Sequence, residues 1–439
     1  MQALQDAVSS LAEELDVPGV AVAVLHDGDE QHAFHGVTSV TNPLAVDERT
    51  LFLCGSTTKT FTATAIVRLA EQGLVDLDAP VRTYVPEFRV SDAEASATAT
   101  VTQILNHTSG WDGDFFKDTG SGDDALERYV AAMATLQQVT PPGEAVSYNN
   151  SAFAVAGRVV EKVTGKVYED ALSELVLEPL ELRDSFFFPR DIMTRRFAVD
   201  HQRLQDGGTN VLPYGFPRAT NCVGGIATTT HDLISWARFH LDATGLVAEM
   251  QRPTVEVPGW SSGDGVGLSW LLGDVAEQPV VGHGGATFGQ LSLFKMVPAR
   301  GFALVSFTNA APVGNTFNRR ITEWAWSELL GAPIEEPQTT SRDDVTEYCG
   351  RYETVANIAD VTPHDGGFSA HIVDRPEVLE ELGLEVEEEP PVECGFTVDR
   401  DRFVAVVPPY KGSSGFFVRD DADRVTAMNI LGRHFVRTG

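Results

Sequence analysis

The sequence predicts a mixed α+β protein with two domains, a larger body followed by a small antiparallel β domain. Three observations carry this reading. The chain has 439 residues, more than one hydrophobic core usually supports. Up to about residue 330 the apolar periodicity runs helix, two strands, helix, and later three consecutive strands and a helix. Past residue 343 it changes to short β-like runs divided by turn residues.

The elements follow in order. Residues 3–15 place Leu4, Val8, Leu11 and Leu15 on one helical face. Pro18-Gly19 stops that helix, and Val20-Ala21-Val22-Ala23-Val24-Leu25 reads as a buried strand. His26-Asp27-Gly28-Asp29 is a hairpin turn that returns residues 31–37 antiparallel. Residues 57–72 are helical through Phe61, Ala65, Ile66 and Leu69, and Gly73 ends them. Residues 101–105 lead into a turn at His107-Thr108-Ser109-Gly110, and residues 126–136 and 152–163 are helical, the second ending near Gly165. Thr228-Thr229-Thr230 supplies an N-cap for a helix over 228–241, with Asp232 suited to its N-terminal dipole. Residues 280–282, 289–296 and 302–308 read as strands, and 319–330 as a helix.

The polar, proline-containing stretch 331–343 marks a boundary, giving domains over 1–333 and 344–439. Beyond it, runs at 350–353, 368–373, 396–398, 402–407, 415–419, 425–430 and 433–437 predict a small antiparallel barrel or sandwich. The acidic stretch 377–393 reads as a solvated excursion.

Composition excludes several classes of function. There are 63 acidic against 32 basic residues, a net charge of -31, so nucleic acid is not an expected partner. No run of apolar residues reaches the length of a membrane helix. The N-terminal Met1-Gln2-Ala3-Leu4-Gln5-Asp6 lacks the features of a secretory signal, and a cytoplasmic address is expected. Lys59, Lys117, Lys162, Lys166, Lys295 and Lys411 are the only lysines, leaving 26 of the 32 basic residues as arginine. An acidic, lysine-poor surface is what selection in very high salt would produce, because screening there removes most of its self-repulsion. A merely acidic protein is the competing reading. Cys54, Cys222, Cys349 and Cys394 show no zinc-ligand spacing, so neither metal nor cofactor is expected. A bridge between Cys349 and Cys394 stays open.

Three motifs carry chemistry. In Gly55-Ser56-Thr57-Thr58-Lys59, the serine stands where a loop hands over to a helix, and Lys59 follows on the same helical face. A serine hydroxyl needs a neighbouring base to become a nucleophile, and a buried neutral amine serves. The Ser56 backbone N–H, at a helix start, is a candidate oxyanion donor. Tyr148-Asn149-Asn150 offers a phenol able to relay protons near Lys59 and an amide, on Asn150, able to hold Lys59 or a substrate carbonyl. Gly282-His283-Gly284-Gly285-Ala286 lies on the edge of a predicted strand, where glycines admit a substrate backbone and the Ala286 N–H offers a second oxyanion donor. Taken singly, each also reads as an ordinary turn or cap. His107 reads as a structural hydrogen-bonder and Cys54 as a small buried residue beneath the serine. Trp111, Phe115 and Phe116 are cleft or core, and Asp112 and Asp114 read as a solvated loop or as readers of a substrate amine.

Together, in this order and spacing, the three motifs resemble the serine β-lactamase-like family of class C β-lactamases, D-aminopeptidases, low-molecular-weight penicillin-binding proteins and related esterases. Leu105-Asn106-His107-Thr108-Ser109-Gly110-Trp111 and Gly224-Gly225-Ile226-Ala227-Thr228 with Asp232 support the resemblance, which covers residues 1–330 or so. It implies a β-lactamase-like antiparallel sheet flanked by helices, a helical subdomain and, more weakly, a lipocalin-like C-terminal barrel. It also implies an acyl-enzyme on Ser56, proton transfer by Lys59 and Tyr148, an oxyanion site at the N–H groups of Ser56 and Ala286, and substrate binding by Asn150, His283, Gly285 and Ala286. His283 departs from the Lys-Thr-Gly of true β-lactamases and brings no permanent positive charge. A small ester, amide or peptide is therefore the expected substrate, ahead of a β-lactam or a D-Ala-D-Ala terminus. A non-catalytic protein that binds peptide or lipid in the same cleft is the alternative of a different class.

Overall fold

Alternation along Gly19–His26 explains the body of the molecule. In this computed structural model Val20, Val22 and Val24 face one hydrophobic cluster, and Ala21, Ala23 and Leu25 face another, so both sides of the strand are buried. The structure describes all residues except Met1, Gln205, Ser261, Ser262, Glu335 and 384–387. Asp29–Gly36 returns antiparallel through a turn with positive φ at Asp27 and Gly28, as the sequence predicts. The strand belongs to an eight-stranded antiparallel sheet in the order 29–36, 19–26, 302–308, 291–297, 278–286, 271–275, 263–266, 255–260.

Helices Gln2–Leu15 and Val313–Leu330 cover one face through Leu4, Val8, Phe317 and Ile321. The other face packs on a helical layer that includes Thr58–Glu71, Ala125–Ala132, Asn150–Thr164 and Thr230–Leu241. Gly73 and Gly165 have left-handed φ and close their helices, while Thr229 accepts the Asp232 N–H at the start of the last. No helix among the described residues is long and apolar enough to cross a membrane.

Three sheet strands lie outside the sequence reading: Val255–Trp260, Gly263–Val266 and Leu271–Val275. They carry Pro258, Gly259, Gly263, Gly265 and Gly273, which depress strand propensity, and they form the far edge of the sheet, where such residues are tolerated. Residues 289 and 290 also fall outside their predicted strand, since Gly289 and Gln290 both donate their N–H groups to Asp200 ahead of strand Leu291–Val297.

The C-terminal β residues close into a barrel of eight strands, which decides between barrel and sandwich. Its first strand, Gly350–Glu353, pairs with its last, Arg433–Arg437. Asn357–His364, where Asp360, Thr362 and Pro363 mask the pattern, is absent from the sequence reading, and the run expected at 396–398 meets its strand, Val392–Phe396, only at Phe396. Phe368, Phe396, Phe403, Phe417, Tyr348 and Tyr352 fill the interior. All four cysteines are free, so no bridge joins Cys349 and Cys394. The acidic stretch 377–393 is not one solvated excursion. It supplies part of helix Pro376–Leu382 and the start of barrel strand Val392–Phe396, and Glu389 accepts a hydrogen bond from the Tyr410 hydroxyl. Its residues 384–387 lie outside the described set.

Candidate active site

The short strand Phe52–Leu53 pairs with Ala227–Thr228, and Cys54 donates its N–H to Ile226 O at 2.8 Å. The chain then turns at Gly55, with φ +51°, into a 3-10 turn over Gly55–Thr57 that runs directly into helix Thr58–Glu71. This presents the half-buried Ser56 at the helix start. One turn on, Lys59 is fully buried with its Nζ 2.9 Å from Ser56 Oγ and 3.2 Å from Val223 O, to which it donates. Cys54 lies buried just before the turn, its thiol pushed up to about 12 by burial. The loop is tied to the sheet where Ser292 donates to Cys54 O at 2.7 Å and Leu53 N–H donates to Gln290 Oε1 at 3.0 Å.

The predicted glycine strand lies against this turn. A Cβ on Gly285 would fall 2.0 Å from Cys54 O, and one on Gly55 would fall 2.7 Å from Ala286 N, so both positions require glycine. Strand Gln278–Ala286 pairs with Leu271–Val275 no further than Gly282, which leaves residues 283–286 unpaired on that side among the described strands. Gly284 and Ala286 are exposed there. His283 is buried, its Nδ1 2.5 Å from Gly284 O, and its Nε2 has no partner among the described residues. Burial, reinforced by Lys59, pushes this imidazole down to about 3, so it is neutral at physiological pH.

Tyr148 is buried between these two elements, and Lys59 Nζ stands 4.9 Å from its ring centroid. Burial raises the phenol strongly. Ser56 is near enough to favour its ionised form, yet the hydroxyl makes no hydrogen bond of good geometry among the described residues. We take the hydroxyl as an open polar group beside the serine. His107, with φ +63°, packs its ring 4.4 Å from that of Tyr148 and accepts the Asn149 N–H at Nδ1, the structural role expected of it. Asn149 caps the following helix by accepting the Ala152 N–H at 2.7 Å.

Asn150 donates its side-chain amide to Asp114, and no hydrogen bond joins it to Lys59 among the described residues. Asp112 and Asp114 do not form a solvated loop. Asp114 is only 4% exposed, and Asp112 accepts the Val355 N–H, its carboxyl pushed up to about 6 by burial. Trp111 is core, donating to Ser151 at 3.0 Å, and Phe115 packs against the same core.

The barrel, whose role the sequence leaves open, reaches into the site. The turn between strands Val425–Ile430 and Arg433–Arg437 has left-handed φ at both Leu431 and Gly432. Gly432 O accepts the Tyr148 N–H at 2.8 Å and the Trp260 indole N–H at 3.3 Å, and His434 donates its N–H to Ser147 Oγ at 3.1 Å. Arg433 donates its Nε to Asp114 at 2.7 Å and places its guanidinium 5.0 Å from the Tyr148 ring centroid. Arg433 and Asp114 are 319 positions apart in the chain, and no local motif announces either.

Lys59 is therefore held well below the ordinary lysine range, first by burial and then by the positive charge of Arg433, against the weaker pull of Asp114. A buried amine kept neutral beside a serine hydroxyl, with a phenol and two candidate backbone N–H donors around them, can take a proton as that oxygen attacks a carbonyl. As for metals, Glu30, His32 and His231 bring three donor atoms within 4.8 Å of one another, but here Glu30 is occupied by both imidazoles and by Arg238.

The chain matches the family model described as Beta-lactamase over residues 4–325. It is 35% identical over 373 residues to Penicillin-binding protein 4 of Amycolatopsis lactamdurans, covering 80% of this chain and 96% of that protein. Among solved structures, it is similar to the crystal structure of SurE, with a TM-score of 0.76 and 23% identity over 100% of this chain and 99% of that one. It is similar also to a D-amino acid amidase from Ochrobactrum anthropi SV3 complexed with D-phenylalanine, with a TM-score of 0.61 and 22% identity over 74% of this chain and 100% of the other. At these identities the structural matches show a common fold.

Proposed function

Because this chain belongs to the beta-lactamase family, we propose that it is a serine hydrolase that cleaves a small ester, amide or peptide through an acyl-enzyme on Ser56. The observation that carries the proposal is the 2.9 Å separation of Ser56 Oγ from the buried Lys59 Nζ. Neutral Lys59 takes the Ser56 proton as Oγ attacks the carbonyl carbon. The N–H groups of Ser56 and Ala286 hold the oxyanion, and Tyr148 passes the proton to the leaving group. Water then hydrolyses the ester on Ser56. The unpaired edge at His283, Gly285 and Ala286 takes the substrate backbone, and Asn150 orients it from the opposite side.

Neutral His283 supports substrates that do not depend on a cation from this strand, and the amidase among the similar structures supports a small amide. The penicillin-binding protein relative favours β-lactam or D-Ala-D-Ala chemistry as the second reading, which a chromogenic cephalosporin tests. The same proposal includes a catalytic domain over 1–333, a barrel domain over 344–439 and a cytoplasmic address. The test is a p-nitrophenyl acetate burst together with fluorophosphonate labelling mapped to Ser56. Ser56→Ala, folded, should lose both; a burst that persists in this variant discards the assignment.

A further inference from the structure

We propose that the barrel completes this centre through Arg433, a positioning residue whose fixed positive charge, clamped by Asp114 against the Tyr148 ring, holds the phenol in place and keeps Lys59 ready to accept the Ser56 proton. The inference rests on the serine hydrolase reading and adds a working part from outside the matched family region, which ends at residue 325.

Three independent contacts fix the arrangement. The Gly432 carbonyl takes the Tyr148 N–H at 2.8 Å, so the barrel turn sets the backbone that carries the phenol. Arg433 and Lys59 both lie against the Tyr148 ring, at 5.0 and 4.9 Å from its centroid. Asp114, buried, accepts from both Arg433 and Asn150, which locks the guanidinium in one orientation. The turn presenting Arg433 keeps Leu431 at φ +49°, an unfavourable conformation for a side chain of this type.

Charge bookkeeping around Lys59 singles out Arg433. The groups acting on Lys59 are Cys54 before the serine, Cys222 from helix Asn221–Gly224, Asp114 from its loop and Arg433 from the barrel. Tyr148, His107 and His283 complete the surroundings, since the first packs on the amine and the two imidazoles feel its charge. Burial keeps both thiols and the phenol protonated and both imidazoles neutral. Asp112, pushed up to about 6 by burial, and Asp374 and Tyr410, both raised by burial, face the Arg433–Asp114 pair rather than Lys59, so Arg433 and Asp114 are the charged pair acting directly on the amine. A cation here disfavours a second one on Lys59, and a neutral Lys59 is what proton abstraction requires. The barrel thus supplies the fixed charge that His283 does not.

The test is the pH dependence of fluorophosphonate labelling of Ser56 in the full chain, from pH 5 to 10, for wild type, Arg433→Met and Arg433→Lys. In Arg433→Met the acid limb moves up by about one pH unit, so labelling at a given pH on that limb falls by about 10-fold and recovers as pH rises. In Arg433→Lys the charge is kept and the acid limb stays, while the maximal rate falls because the Nε hydrogen bond that orients the guanidinium on Asp114 is lost. An unmoved limb in Arg433→Met overturns the proposal. If that variant fails to fold, Arg433→Lys decides, because a limb displaced there despite the retained charge overturns it equally. Failure of the wild type to label at Ser56 at any pH would sink the hydrolase reading, and this inference with it.

Discussion

Lys59→Met tests the charge state on which the chemistry depends. Lys59 is fully buried, with Ser56 Oγ and Val223 O as its polar partners, and Asp114, the carboxylate acting on it, is already paired with Arg433. Burial and Arg433 both lower its pKa in the folded protein. In the unfolded chain it titrates at about 10.4. Between the folded and unfolded values the unfolded chain binds one more proton than the native one, so this residue makes stability rise with pH, by about 1.4 kcal/mol per unit. The contribution is least favourable at low pH and recovers as pH approaches the unfolded value. Methionine has nearly the same length and no titration, so the variant lacks this slope. Urea unfolding of both proteins at pH 7 and pH 9, in one salt concentration, measures the difference while common groups cancel. Wild type should gain more than Lys59→Met wherever Lys59 is neutral in the native state, by up to about 2.7 kcal/mol over the two units. Equal gains would mean that Lys59 is an ammonium in the native state, and the proton-accepting role would fail.

Two further perturbations test the site and the surface. Gly285→Ala forces a Cβ to 2.0 Å from Cys54 O and should cost about 1–3 kcal/mol together with Ser56 labelling. Gly284→Ala, whose Cβ would meet nothing closer than Ser292 O at 3.6 Å, should melt like wild type; matching melting curves for the two variants would refute the close-approach argument. For the surface, the net charge of -31 predicts a higher melting temperature in molar KCl than in dilute buffer. Identical curves would discard the salt-adapted reading.

What the sequence made legible was periodic or covalently local. Val20 to Leu25 alternate between two cores, Gly73 and Gly165 end helices with left-handed φ, and Lys59 lies one turn from Ser56 because helical geometry allows nothing else. The family motifs at Ser56, Tyr148 and His283 were readable because each is a short run whose residue types announce their chemistry. The edge strands Val255–Trp260, Gly263–Val266 and Leu271–Val275 and barrel strand Asn357–His364 were hidden, since proline, glycine and polar residues at the edge and in the barrel wall erase the two-residue pattern.

Tertiary structure alone decided the electrostatics. Asp114 changes from a loop acid to a buried anchor, and Arg433 from one of many arginines to the charge beside Tyr148, because residues 319 apart meet where the barrel turn seats against the body. Local sequence can specify which groups a helical turn or a strand brings together. Burial, and with it the protonation of Lys59, depends on what the rest of the chain packs over them, and no spacing encodes that.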